Sequence, residues 1–183
     1  AELLSGDAGY IPIVVQGSRS QLDKALVTAL LRAATDQTQE PSWASEKFVE
    51  TLHLYLETIE AGVADARSTV ELYEQATALA KLSGHRGLFL VVDEFGKFLE
   101  RAAWRGDVSE LMTAQYMAEL AAGPGDGDLL FLVVLHQGLS SYASSLSEQQ
   151  WREWAKVQGR FRSIEFTQDA DNLYDLVSAS LTQ

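Results

Sequence analysis

The sequence predicts a three-layer α/β fold, in which a mostly parallel sheet is flanked by helices. Residues 1–183 are expected to form this fold as a single unit. Two observations lead to this prediction. Three short apolar segments, at residues 11–16, 87–92 and 129–135, have the length and composition of buried strands. Longer segments with helical spacing separate them, and such alternation is typical of parallel strands joined by right-handed crossovers.

Three helices are predicted between the first two strands, where one crossover helix would be enough. In the first two of them, apolar residues recur every three or four positions, which is the spacing of one helix face. Residues 42–84 are therefore expected to form a helical insertion, with Ser83-Gly84 as its C-terminal cap. The predicted helices cover residues 18–34, 45–61 and 68–82.

Pairs of residues with the spacing of a capping box mark where three helices begin. In a capping box, a Ser side chain accepts a backbone N–H bond, and a Gln or Glu three positions later bonds back to the Ser backbone. The pairs are Ser18 with Gln21, Ser68 with Glu71, and Ser147 with Gln150.

In the second half of the chain, the sequence pattern predicts further helices and a further strand around the third strand. Helices are expected over residues 95–104 and 107–122, a last strand over 163–166, and a closing helix over 169–181. One side of the closing helix is apolar and is expected to face inward; it comprises Leu173, Tyr174, Val177 and Leu181.

Composition excludes several classes of protein. The chain has 14 Lys and Arg against 26 Asp and Glu, which gives a formal net charge of −12. Such an acidic surface repels nucleic-acid phosphates and anionic lipid, so direct binding of either is not expected. Zero Cys excludes a disulfide framework, Cys-ligated zinc and thiol catalysis. No apolar run reaches the roughly 20 residues that a membrane helix needs, and a cytoplasmic location is expected.

The most informative motif is Asp93-Glu94, which directly follows the apolar segment at 87–92. Ligands of open α/β sheets bind at the C-terminal ends of the strands, where this pair is expected to lie. Consecutive strand residues point to opposite faces, so the two carboxylates can serve different targets. The alternative is structural: Asp93 caps a helix that begins at Phe95, and Glu94 lies in its first turn.

The segment GLFLVVDEFGKFLE, residues 87–100, resembles the Walker B motif of P-loop NTPases. The resemblance is to the AAA+ and STAND-like group, which has an additional catalytic Glu, and to large bacterial ATP-binding proteins. It implies that Asp93 holds the Mg²⁺ that bridges the phosphates of ATP. It also implies that Glu94 polarises the water that attacks the γ-phosphate.

Polar residues also follow the next apolar segment, at 129–135. In the same group of ATPases, the strand after Walker B carries a polar sensor residue near its end. The resemblance therefore implies that His136 or Gln137 contacts the γ-phosphate or the attacking water. The alternative is a strand-end histidine that is hydrogen-bonded to a loop.

A basic cluster near residue 160 stands out in this acidic chain, and it consists of Lys156, Arg160 and Arg162. In oligomeric ATPases of the group, an Arg in this interval often acts on the nucleotide of the neighbouring subunit. The resemblance implies that Arg160, next to Gly159, is such an arginine finger. The alternative is a surface Arg paired with acidic neighbours. For Lys97, a solvated side chain is favoured over a phosphate contact.

One part of the ATPase pattern is missing from the sequence. The phosphate-binding Walker A string, G-x-x-x-x-G-K-[ST], does not occur in the 183 residues. The expectation is a truncated ATPase core that begins after its first strand and P-loop, so that this chain alone is inactive and binds Mg²⁺ and ATP weakly or not at all. Self-association through an exposed sheet edge, or binding of a partner protein, is also expected.

Two other functions remain open at this stage. A degenerate or non-catalytic ATPase-like domain would use its helices for protein–protein interaction or oligomerisation. A metal-dependent phosphoesterase would use Asp93 and Glu94, although no clear set of further ligands accompanies them.

Overall fold

A computed structural model describes residues 9–18, 20–36, 42–106, 109–123, 128–138, 141 and 147–164, and it shows an α/β fold. Strands and helices alternate along the chain, with three helices before the second strand and two before the third. In chain order the elements are β1 Tyr10–Gln16, α1 Leu22–Ala34, α2 Glu46–Glu60, α3 Ala66–Leu82, β2 Gly87–Asp93, α4 Gly96–Arg105, α5 Ser109–Ala121, β3 Leu129–Val133 and α6 Glu148–Gln158.

The three strands form one parallel sheet in the order β1-β2-β3. Val15, Val92 and Val133 lie side by side in register, so the C-terminal ends of all three strands meet at one edge. The parallel α/β class predicted from the apolar segments is therefore confirmed. Beyond β3, Val134 continues the pairing by donating its N–H to the Val92 carbonyl at 2.9 Å.

Helices cover one face of this sheet. α1 packs on β1, α3 on β2 and α5 on β3, and these three helices also contact one another. The strand residues beneath them form the core together with apolar helix residues; the buried ones are Ile11, Ile13, Val15, Leu88, Leu90, Val92 and Leu129. The opposite face carries Pro12, Val14, Phe89, Val91, Leu130 and Leu132, all exposed or half-buried.

A buried carboxylate joins the three packed helices. Asp23, in the first turn of α1, is 3% exposed and accepts hydrogen bonds from the hydroxyls of Thr69 in α3 and Thr113 in α5. The two distances are 2.7 Å and 3.0 Å. A buried polar group needs such partners, because leaving one without a hydrogen bond costs roughly 1–3 kcal/mol. Asp23 therefore fixes the helices relative to one another close to their N-terminal ends.

One of the three predicted capping boxes is confirmed and two are wrong. At Ser147, both bonds of the box form with Gln150. Ser18 bonds to the Ser20 hydroxyl instead, and α1 begins later without a side-chain cap. At α3, Asp65 accepts the N–H bonds of Arg67 and Ser68, because its carboxylate lies earlier in the chain and is the stronger acceptor.

The predicted helix end at Ser83-Gly84 is confirmed. Gly84 has φ of +88°, and the N–H of His85 bonds back to the carbonyl of Ala80 at 3.0 Å. The residues predicted as an insertion, 42–84, contain α2 and α3. Because α3 packs on β2, it also belongs to the covered face of the sheet.

Two predictions in the last part of the chain fall wholly or partly outside the described residues. Ser163 and Ile164 lie in no strand, and the rest of the strand predicted at 163–166 is not described. The helix predicted at 169–181 also lies outside the described residues. Within the described part of the chain, each helix is too short or too polar to cross a lipid bilayer.

Replacing Asp23 with Ala should lower the free energy of unfolding by about 1–3 kcal/mol, because the buried hydroxyls of Thr69 and Thr113 lose their shared acceptor. Urea unfolding followed by tryptophan fluorescence measures the effect, since Trp43 and Trp154 are buried. Lys24→Ala is the matched control: the ion pair of Lys24 with Glu60 is exposed, and its loss should lower the free energy of unfolding far less than the loss of Asp23. Equal effects of the two substitutions would contradict the structural role of Asp23.

Candidate functional site

The candidate site lies where β1 and β2 end at the C-terminal edge of the sheet. Gln16 and Asp93 are register partners and the last residues of their strands. Gly17 follows the first strand and Glu94 the second, so the four residues form two adjacent pairs. The parallel register therefore brings a carboxamide, a glycine and two carboxylates together although they are far apart in sequence.

Glu94 has an unusual backbone conformation. Its φ is +50°, and it is the one non-glycine residue with positive φ in the described part of the chain. Two hydrogen bonds hold it: Asp93 Oδ1 accepts the Glu94 N–H at 2.8 Å, and the Glu94 carbonyl accepts the Lys97 N–H at 3.0 Å. Such conformations cost roughly 1–3 kcal/mol and cluster at functional sites.

The alternative that Asp93 caps α4 is wrong. The helix begins at Gly96, its N-cap is Phe95, and it has no side-chain cap. Asp93 Oδ1 bonds to Glu94 instead, and Glu94 precedes the helix rather than lying in its first turn. Helix capping therefore does not account for this pair of carboxylates.

Gly17 allows the two strand ends to approach each other closely. Its N–H donates to the Asp93 carbonyl at 2.8 Å. A Cβ atom at this position would lie 2.3 Å from the Glu94 carbonyl oxygen and 2.7 Å from the Glu94 Cβ. Both contacts are far inside van der Waals distance, so any side chain at residue 17 would push Glu94 out of place.

Three polar side chains converge on the carboxylate of Glu94. Lys97 Nζ lies 2.5 Å from Oε2, and Gln16 Nε2 donates to the same oxygen at 3.2 Å. His136 Nε2 lies 3.5 Å from Oε1. The hydrogen bond from Lys97, followed by those from Gln16 and His136, holds the pKa of Glu94 below its usual value. Glu94 is therefore ionised at neutral pH and presents Oε1 as its less occupied oxygen.

His136 reaches this site because β3 continues its pairing with β2 past its last strand residue. The Phe95 N–H donates to the Val134 carbonyl at 3.0 Å, which draws residues 134–136 alongside Glu94. The His136 side chain is 78% exposed and so is accessible to a ligand. Gln137 is exposed as well, and it forms no hydrogen bond to Asp93 or Glu94.

Arg160 forms its hydrogen bonds outside the cluster around Glu94. It follows α6, and its guanidinium pairs with Glu119 of α5, with Nε donating to Oε1 at 3.1 Å. It forms no hydrogen bond to Asp93, Glu94 or His136. The arrangement matches the surface ion pair that was the alternative to an arginine finger. Action of Arg160 on a neighbouring subunit stays a prediction.

Gln16 and Gly17 are the site residues that sequence reasoning missed. Gln16 donates to Asp93 Oδ2 at 3.3 Å as well as to Glu94, so it bridges the two carboxylates. A polar residue followed by glycine at the end of an apolar strand was the available signal. This signal can be interpreted only once the strand order is known, because that order places β1 directly beside β2.

The carboxylates of Asp93 and Glu94 are oxygen donors of the type that hard cations such as Mg²⁺ prefer. Mg²⁺ is usually bound by one or two carboxylates together with water and substrate phosphates. Asp93 and Glu94 supply such carboxylates at the edge of the sheet. In the described part of the chain, no cluster of three or more His, Asp and Glu side chains is placed to hold a metal by itself.

Gly17→Ala should destabilise the fold by about 1–3 kcal/mol, because the added methyl group clashes with backbone atoms of Glu94. Gly159→Ala is the control, since a Cβ there meets its nearest neighbour at 3.5 Å. Urea unfolding of both variants gives the comparison. A Gly17→Ala variant as stable as the Gly159→Ala variant would show that the contact is not required.

Lys97→Met should raise the pKa of Glu94 towards the ordinary value of 4.5, because the main cause of its depression is lost. Since the folded-state pKa is depressed, the stabilisation from Glu94 is present above the unfolded-state pKa and is lost as pH falls through the folded value. Carboxyl-detected NMR titration measures the shift. Lys81→Met, which removes the partner of Asp128, should leave Glu94 unchanged.

Comparisons with known proteins give no match. No family model matches the sequence, and neither the curated proteins nor the solved structures contain a significant similarity to this chain.

Proposed function

We propose that Asp93 and Glu94 are the Walker B pair of an ATP-hydrolysing site in a larger ATPase. The observation that carries the proposal is the carboxylate of Glu94. Glu94 lies at the C-terminal edge of a parallel sheet and has a positive φ. Its carboxylate is ionised and lies close to His136. Ligands of α/β sheets bind at this edge. The absence of a capping role for Asp93 removes the main structural explanation for the motif.

Asp93 is the proposed metal ligand. Its Oδ1 is fixed by the Glu94 N–H, and its Oδ2 is held by Gln16 at 3.3 Å, a long bond that another ligand can replace. A bound Mg²⁺ would neutralise charge on the β- and γ-phosphate oxygens. Gln16 keeps the Asp93 carboxylate oriented along the edge where those phosphates are expected.

Glu94 is the proposed acceptor for the attacking water. Lys97 and Gln16 both bond to Oε2, which leaves Oε1 facing His136 at 3.5 Å. A water held by Oε1 would have its proton directed to an ionised carboxylate, as general-base catalysis requires. His136 or the adjacent Gln137 would then act as the sensor that contacts the γ-phosphate or this water.

The phosphate-binding loop and the arginine finger of the proposed site lie outside the contacts around Asp93 and Glu94. The phosphate-binding loop is proposed to belong to a segment beyond the 183 residues, since the Walker A string does not occur in them. Arg160 is proposed as a finger for a neighbouring subunit. It can serve only if it leaves Glu119, whose pKa is lowered first by the hydrogen bond from Gln115 and then by that from the Arg160 guanidinium. Self-association is therefore part of the proposal.

Binding and turnover of Mg-ATP test the proposal directly. Two proteins are compared: this chain, and a longer chain that includes about 60 residues encoded upstream in the parent reading frame. We expect binding of a fluorescent ATP analogue only by the longer chain. If neither protein binds, the proposal fails.

Substitutions in the longer chain then separate the roles of the two carboxylates. Glu94→Gln should keep nucleotide binding and lose turnover by roughly 10²–10⁴-fold, the usual contribution of a general base. Asp93→Asn should make turnover depend less on the Mg²⁺ concentration. Glu100→Gln, on the exposed side of α4, is the matched control and should behave like the parent protein. Unchanged turnover in Glu94→Gln would contradict the assignment.

A degenerate, non-catalytic domain is the second candidate. Lys97 already neutralises Glu94 with a 2.5 Å contact, an arrangement that would persist if the carboxylate had no substrate to act on. A parent reading frame that begins near Ala1, together with no nucleotide binding, would favour this candidate. The search for function would then turn to protein partners of α2 and α3.

A further inference from the structure

Lys97 binds Glu94 at two points, through its backbone and through its side chain. Its backbone N–H donates to the Glu94 carbonyl at 3.0 Å, and its Nζ lies 2.5 Å from Glu94 Oε2. The Lys97 side chain is 43% exposed and that of Glu94 is 24% exposed, so the contact lies at the surface of the site. The first turn of α4 thus binds both the backbone and the carboxylate of the residue proposed to accept a proton from water.

The helix that carries Lys97 is anchored in the hydrophobic core. Phe98, Leu99 and Ala102 are all buried and belong to the core cluster, so one side of α4 is packed against it. The carbonyl of Ala102 also accepts a 2.8 Å hydrogen bond from Gln150 of α6. The backbone of Lys97 is therefore held in place, which distinguishes its ion pair from exposed pairs between two mobile side chains.

The other contacts of the Glu94 carboxylate are longer. Gln16 Nε2 lies 3.2 Å from Oε2, and His136 Nε2 lies 3.5 Å from Oε1. Both distances are at or beyond the upper end of the range for ordinary N–H···O hydrogen bonds. Lys97 therefore makes the short, charge-assisted contact of this carboxylate, and such contacts are roughly twice as strong as neutral ones.

The contact with Lys97 is not needed to make Glu94 ionised. The ordinary pKa of a Glu side chain, 4.5, is far below neutral pH, so the carboxylate would carry its charge without the lysine. What the lysine changes is direction, because its bond to Oε2 leaves Oε1 turned towards His136. General-base catalysis depends on this direction, since the acceptor oxygen must lie within hydrogen-bond reach of the proton that it takes.

We infer that Lys97 is a positioning residue of the proposed hydrolytic site: it holds Glu94 Oε2 so that Oε1 faces the attacking water. This inference rests on the proposed function. It differs from a phosphate contact, for which Lys97 would leave Glu94 and bind the nucleotide. A small displacement of a reacting group can lower turnover by up to about 10²-fold. Loss of Lys97 is therefore expected to lower turnover and to leave nucleotide binding unchanged.

Steady-state hydrolysis of Mg-ATP by the longer chain, which includes the upstream segment, tests the proposal. Lys97→Met should lower kcat roughly 10–10²-fold and leave KM unchanged. Lys97→Arg should restore part of the lost kcat, because a guanidinium also donates to a carboxylate. Lys81→Met is the matched control: it removes an exposed lysine from an ion pair with Asp128 and should keep the parent kcat.

The other outcomes of this experiment overturn the proposal in distinguishable ways. An unchanged or raised kcat in Lys97→Met would show that the lysine does not position Glu94, and a raised KM with unchanged kcat would assign it to the phosphates. Loss of turnover in Glu94→Gln with full turnover in Lys97→Met would overturn this inference alone. A longer chain that neither binds nor hydrolyses Mg-ATP would overturn the proposed function and this inference with it.

A second measurement requires no nucleotide. NMR relaxation of the methylene carbons of Glu94, recorded on this chain, reports how freely the side chain moves on the picosecond-to-nanosecond timescale. Lys97→Met should lower the order parameters of these carbons, whereas Lys81→Met should leave them unchanged. Equal order parameters in the two variants would contradict the positioning role of Lys97.

Discussion

The structure depends on the close approach of Gly17 to the backbone of Asp93 and Glu94. The N–H of Gly17 bonds to the Asp93 carbonyl, and the space where a Cβ would lie is taken by Glu94. This contact extends the pairing of β1 and β2 beyond their last strand residues. It places Gln16 against both carboxylates and supports Glu94 in a conformation that residues other than glycine rarely adopt. Backbone packing thus positions the residues of the site, and their side chains supply its chemistry.

Much of the fold could be predicted because it is encoded locally. The three apolar segments become three parallel strands, and the glycine at residue 84 ends α3 as expected. Helix starts were less predictable, because several polar residues near a start can serve as the cap: at α3, Asp65 accepts the N–H bonds of Arg67 and Ser68, so the helix begins at Ala66 and Ser68 lies in its first turn. Which residue caps the helix depends on local geometry that spacing alone does not specify.

The candidate site was predictable only in part. Asp93 and Glu94 could be found because they adjoin each other after an apolar run, and His136 because it follows the next such run. Gln16 lies 77 residues from Asp93, so its contact follows from strand order and register, which the sequence does not state. The partner of Arg160 was similarly hidden: Glu119 is 41 residues away, on a helix whose orientation only the fold defines.

The hydrogen bonds of Asp23 place one acidic side chain at the junction of three helices. It accepts from the hydroxyls of Thr69 and Thr113, so a single residue of α1 is linked to both α3 and α5. α4 is joined to the same core, because Phe98 and Ala102 are buried and Arg101 pairs with Glu110 of α5. Gln150 of α6 in turn bonds to the Ala102 carbonyl. Polar contacts between specific partners thus connect the helices in addition to apolar packing, and they restrict how far one helix can slide past another.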